Sequence, residues 1–147
     1  MKEKNKEINS IKISLPALSV NEGVARAVLG TVLSFADPTV DELADVRCAV
    51  SEAVTNAVVH GYKSRGGVIY ISAQTYDDRR FVIKIKDKGC GIPDIKEARQ
   101  PLFTTDPTGE RSGMGFSVME TFMDKVTVRS KVGKGTEVTL VKRLSDK

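Results

Sequence analysis

The sequence predicts an α+β domain in which helices cover one face of a mixed, mainly antiparallel sheet. Three patterns point there. Residues 24–35 and 43–58 repeat apolar side chains at the helical period of 3.6. Five short segments alternate apolar and polar residues with the period of two that a half-buried strand needs. Helical and strand patterns are interleaved without repeats, low-complexity tracts or an internal linker.

Ile11, Ile13 and Leu15 alternate with polar residues up to Pro16, a first strand. Ser19 or Asn21 is suited to cap a helix whose apolar stripe is Val24, Val28, Leu29, Val32 and Phe35. Asp37-Pro38 ends it. A second helix is expected from Thr39 or Asp41 to about His60, through Leu43, Val46, Ala49, Val50, Ala53, Val54, Ala57 and Val58, with Gly61 as its stop. Val68–Ala73 and Phe81–Lys86 bracket Asp77-Asp78-Arg79 as a hairpin. Residues 93–112, with Pro93, Pro101, Pro107 and Gly109, read as a long loop. A short helix from Gly113 to about Met123 and a hairpin across Val132–Gly135 complete the chain.

At 147 residues one domain is expected over 1–147, able to bury about 68–70% of its unfolded surface, with 1–7 and 143–147 as flexible tails. No apolar run approaches a membrane span and no signal-peptide pattern opens the chain. A cytoplasmic protein follows, with Cys48 and Cys90 as core thiols in a reducing compartment. The net charge of +4 sits largely in the two tails, and aromatics are 5% with no basic stripe among them. Direct nucleic-acid binding is therefore not expected.

The chemistry concentrates in a few places. Glu52 and Asn56 lie one turn apart on the same face of an otherwise apolar helix, where an unpaired carboxylate is costly. Asn56 offers one amide oxygen to a hard cation such as Mg²⁺, whose shell phosphates and water complete. Glu52 is placed to take the proton of an attacking hydroxyl. Asp87 follows a strand and can accept the exocyclic amine of adenine, whereas guanine presents an acceptor there. Gly89 and Gly91 let backbone pass close to a ligand. Gly113-Met114-Gly115 opens a helix whose free N–H groups suit phosphate, and Arg111 is within reach of a γ-phosphate. Together these describe a Mg²⁺-ATP site that is not a P-loop, since GxxxxGK[ST] is absent.

The ordered set of a helical ExxxN, a strand followed by DxGxG, a loop, a GxG-opened helix and a late Gly-Thr resembles the GHKL ATPase superfamily of gyrase, Hsp90, MutL and histidine kinases. The likeness spans about residues 8–142. The stretches Ser51–Tyr62, Ala98–Thr105 and Glu110–Phe116 resemble, more narrowly, the sporulation anti-sigma kinases of endospore-forming bacteria. That resemblance implies a Bergerat-type two-layer sandwich with a mobile ATP lid at about 93–112. It implies Glu52 as general base, Asn56 as magnesium ligand and Asp87 as adenine reader. Gly89, Gly91, Gly113, Gly115 and Thr136 would shape the nucleotide pocket, with Ile92, Ser112, Met114 and Phe116 beside them. Thr104, Thr105 and Arg111 would belong to the lid. The implied activity is ATP-dependent serine phosphorylation of an anti-anti-sigma factor, with sequestration of a sigma factor as a second function. A homodimer through the first strand is implied too. A nucleotide-gated partner-binding module with little catalysis, or the equivalent kinase of a stress-response sigma factor pathway, is the alternative. The chain is expected to stand alone, because no transducer segment or phospho-accepting histidine helix pair is present in it.

Overall fold

The computed structural model describes residues 5–100 and 115–146. Five strands, β1 (Glu7–Pro16), β2 (Val68–Tyr76), β3 (Arg80–Asp87), β4 (Lys125–Lys131) and β5 (Gly135–Arg143), form one sheet in the order β1-β2-β3-β5-β4. All four pairings are antiparallel. The period of two sorts the strand residues by face: Ile69, Ile71 and Ala73 of β2, Phe81, Ile83 and Ile85 of β3, and Val138 and Leu140 of β5 are buried. Lys12, Lys84, Lys86 and Arg129 lie on the opposite, solvated face. These four cations, dispersed in the sequence, are thus gathered on one side of the sheet by its register.

The inner face is covered by α1 (Asn21–Ser34), α2 (Val40–Asn56) and α4 (Gly115–Phe122), with a one-turn helix α3 (Ile95–Ala98) capped by Asp94. α2 is central, lying against both α1 and α4. Its start is a capping box: Thr39 Oγ1 accepts from Glu42 N–H at 3.1 Å, and Glu42 Oε1 accepts from Thr39 N–H at 2.8 Å. Its end departs from expectation. The α-helix stops at Asn56 and Ala57–Gly61 forms a π turn, so the backbone beyond Asn56 swings wide.

Four further expectations need correcting. The buried stripe of α1 is Ala25, Leu29, Gly30 and Leu33, while Val24 and Phe35 are exposed, the latter at 83%. The small residues carry the contact: a Cβ on Gly30 would sit 3.4 Å from Arg47 of α2 and 3.7 Å from Leu43. No side chain caps α1 either; Val20 is the N-cap and the Asn21 amide instead donates to the Pro16 carbonyl at 2.8 Å. The ends of the chain, expected to be loose at 1–7 and 143–147, are tied down where described. Lys6 exchanges hydrogen bonds with Asp77, Leu144 is buried, and Ser145 N–H reaches Glu42 Oε2 at 2.7 Å. Neither cysteine is a core thiol: Cys48 is half-buried and Cys90 exposed. Among the described residues no helix is long and apolar enough to cross a membrane.

Candidate functional site

The site lies where the C-terminal end of α2, the N-terminal end of α4 and the end of β3 meet. Glu52 and Asn56 are half-buried on the last two turns of α2. Gly115, the first residue of α4, faces both: a Cβ there would stand 3.1 Å from either amide atom of Asn56 and 3.4 Å from Glu52 Oε2. The glycine lets the first residue of α4 approach an amide and a carboxylate closely. Beyond Asn56 the π turn carries Gly61 to the exit of β3. A Cβ on Gly61 would come within 2.7 Å of Asp87 Oδ2, and one on Gly89 within 2.0 Å of the Gly61 carbonyl oxygen. That carbonyl accepts the Cys90 N–H at 2.9 Å. Gly61 is therefore less a helix stop than a point where backbone must pass a carboxylate.

Asp87 is 5% exposed. Burial pushes its carboxyl above the ordinary aspartate value, and backbone N–H groups of Gly89 and Thr136 pull against that. The Gly89 bond is 2.9 Å long. Thr136 is the register partner of Asp87 on β5, and its hydroxyl lies 2.8 Å from that of Ser130. Ser130 also accepts from Ile92 N–H at 2.7 Å and donates to the Gly135 carbonyl at 3.0 Å. A single serine thus staples the Asp87 loop to the last hairpin.

The structure brings Glu52, Asn56 and Gly115 together and sets Asp87, Gly89 and Thr136 one turn further along the same wall. For Gly91 the partner it approaches is protein: with φ of 77°, its Cβ would meet the Lys131 carbonyl at 2.3 Å. The side chains of Ile92 and Phe116 pack with the core, which leaves their backbone as what a ligand can touch. Thr104, Thr105, Arg111, Ser112, Gly113 and Met114 lie outside the described residues. Ser130 and Tyr62 escape a reading of the sequence: Ser130 is one polar residue in an alternating strand. Tyr62 carries a signal only in its place beside the Gly61 punctuation.

Residues 15–142 match the histidine kinase-like ATPase domain family. An anti-sigma F factor of Bacillus licheniformis is 50% identical over 138 residues, covering 93% of this chain and 94% of that protein. The chain belongs to the histidine kinase-like ATPase family, on its anti-sigma F factor branch. Anti-sigma F factors of Bacillus subtilis strain 168, 49% identical over 138 residues (93% and 94% covered), and of Clostridium acetobutylicum, 47% over 137 residues (93% and 95%), share the branch. Among solved structures, this histidine kinase-like ATPase domain resembles the RsbU and RsbW domains of a Mycobacterium tuberculosis protein. The TM-score is 0.69 at 25% identity, over 95% of this chain and 33% of that longer one. Full-length ShkA in complex with AMPPNP shares the fold, with a TM-score of 0.59 at 16% identity, over 100% of this chain and 32% of that one. An ATP-binding domain is what the family is named for, and it agrees with the site's layout.

Proposed function

We propose that this chain is an ATP-dependent protein-serine kinase that phosphorylates an anti-anti-sigma factor and, in its other role, sequesters a sporulation sigma factor. The observation that carries the kinase reading is the meeting of Glu52, Asn56 and the Gly115 end of α4 at one point, close enough that only glycine fits there comfortably. The names of the relatives at 47–50% identity support the sigma-factor partner.

In this reading Asp87 accepts the exocyclic amine of adenine from its buried position. Guanine would leave acceptor facing acceptor, at a cost of roughly 1–3 kcal/mol. The α4 N-terminus offers its free N–H groups to the phosphates. The donor set fits Mg²⁺: a single hard amide oxygen on Asn56, beside the Gly115 end of α4, is what an ion completed by phosphate and water needs. Bound there, the ion would neutralise charge on the phosphates. Glu52 would hold the serine hydroxyl of the protein substrate and take its proton as the oxygen attacks the γ-phosphorus, the bond to the β,γ-bridging oxygen breaks and ADP leaves. Arg111 is proposed to stabilise charge on the transferring group, with Thr104, Thr105, Ser112, Gly113 and Met114 around it. A second copy is proposed to pair along β1, an edge strand with an unpaired row of backbone groups. Sedimentation equilibrium should then report twice the chain mass, and a monomer at micromolar concentration would dismiss the pairing.

The test of the chemistry is transfer from γ-labelled ATP with Mg²⁺ to candidate antagonist proteins, wild type against Glu52→Gln. Label should appear on a serine, and the variant should lose about 10²–10⁴-fold in rate while still binding ATP. Transfer at the normal rate by the variant would remove Glu52 as the base. ATP binding without transfer to the cognate antagonist would favour the nucleotide-gated binding module.

A further inference from the structure

Tyr62 is the first residue beyond the π turn, and its hydroxyl joins segments far apart in sequence. It donates to the Val68 carbonyl at 2.6 Å and accepts from the Lys88 N–H at 2.7 Å. Val68 opens β2, and Lys88 directly follows Asp87. The ring has a prepared seat: a Cβ on Gly67 would fall 2.4 Å from Tyr62 Cε1, so only glycine leaves room for it. The chain takes an uncommon path to put the ring there. Lys63 and Ser64 have φ of 56° and 58°, left-handed conformations that side-chain-bearing residues rarely adopt. The turn is closed by Ser64 N–H on the Val58 carbonyl at 2.9 Å and Arg65 N–H on the Tyr62 carbonyl at 3.0 Å.

The other side of the Asp87 loop is gripped by the same segment. Cys90 N–H bonds the Gly61 carbonyl at 2.9 Å, so residues 61 and 62 together hold the backbone of residues 88 and 90. Between those two anchors stands Gly89, whose N–H orients the Asp87 carboxylate. Loss of the Tyr62 hydroxyl would free the Lys88 anchor and the Val68 carbonyl at the start of β2, while leaving the ring in place against the core.

We propose that Tyr62 is a positioning residue: its hydroxyl pins the Asp87–Gly89 turn in the pose from which the buried carboxylate selects adenine over guanine. The inference rests on the nucleotide reading above. It gives Tyr62 no contact with the nucleotide; Tyr62 acts through Lys88.

The experiment compares ATP and GTP dissociation constants by calorimetry, melting temperature, and amide hydrogen exchange at Lys88, in wild type and Tyr62→Phe. Removing the hydroxyl, and with it both of its hydrogen bonds, should weaken ATP binding roughly tenfold. GTP binding should change little, so the preference for ATP narrows, and the Lys88 amide should exchange faster. Gly67→Ala reaches the same point independently by pushing the ring off its seat, and should narrow the preference too. An unchanged ATP-over-GTP preference in both variants overturns the proposal, even if melting temperatures fall, because Tyr62 would then be structural only. If one variant does not fold, the other decides. A wild type with no preference for ATP would remove the adenine reading itself, and the role of Tyr62 with it. A retained wild-type preference with unaltered variants removes only the latter.

Discussion

Asp87 shows how one residue can be costly to the fold and useful to a ligand. Its carboxylate is buried against Gly61 and satisfied by the N–H groups of Gly89 and Thr136, yet burial still raises its pKa. A folded-state value above the unfolded one means that the ionised side chain opposes folding at neutral pH. The opposition fades as pH falls through the raised value toward the ordinary aspartate range. Asp87→Asn removes that titration. Melting curves against pH should show wild type gaining on the variant as the solution is acidified across this window. A difference independent of pH would argue that the carboxyl is not perturbed. ATP affinity of the variant at neutral pH should fall by one to two decades if adenine is read here, about 1–3 kcal/mol. The aspartate was legible as a candidate from its place after a strand. Its burial was not, because burial depends on Gly61, a residue 26 positions earlier in sequence.

Among the elements, α2 is the one the others are built around. A start at Thr39 was expected from the sequence, but not the capping box with Glu42 nor the second task of Glu42: Oε2 accepts the Ser145 N–H and so docks the chain end. Burial pushes the Glu42 carboxyl up, and this is outweighed by hydrogen bonds from Thr39 and Ser145, with Lys142 nearby, which hold it below the usual range. Glu42→Ala should cost about 1 kcal/mol at neutral pH, the usual worth of a cap. The loss belongs to the ionised form, so it is present above the ordinary glutamate value and disappears as pH falls through the lowered one. Urea denaturation at neutral and at strongly acidic pH checks this; an equal loss at both would place it in the side-chain stem. The π turn at the other end of α2 had no sequence signal, since Ala57–His60 continues the apolar period without a break. Tertiary bonds decide it, the Gly61 carbonyl being drawn to Cys90 N–H.

For the whole molecule, stability rests on one layer of helices against one face of the sheet, and the proposed function on the seam where α2, α4 and β3 meet. Leu29, fully buried at the α1 contact, should cost about 2–5 kcal/mol when cut to alanine, as measured by denaturant unfolding. A loss under 1 kcal/mol would mean that α1 packs more loosely than its contacts indicate. By itself the sequence determined the five strands, the three longer helices, the hairpins, the ExxxN and DxGxG motifs and the family, but neither the π turn nor the short helix α3 inside the expected loop. Those properties are local: they follow from periodicity, capping and turn chemistry within a few residues. Tertiary structure alone decided which face of α1 is buried, that basic residues share the outer side of the sheet, and why Gly61 and Gly67 must be glycine. It also decided that Tyr62 lies under Lys88. These are relations between segments tens of residues apart, set by how closely backbones approach once packed, and no periodicity along the chain records that distance.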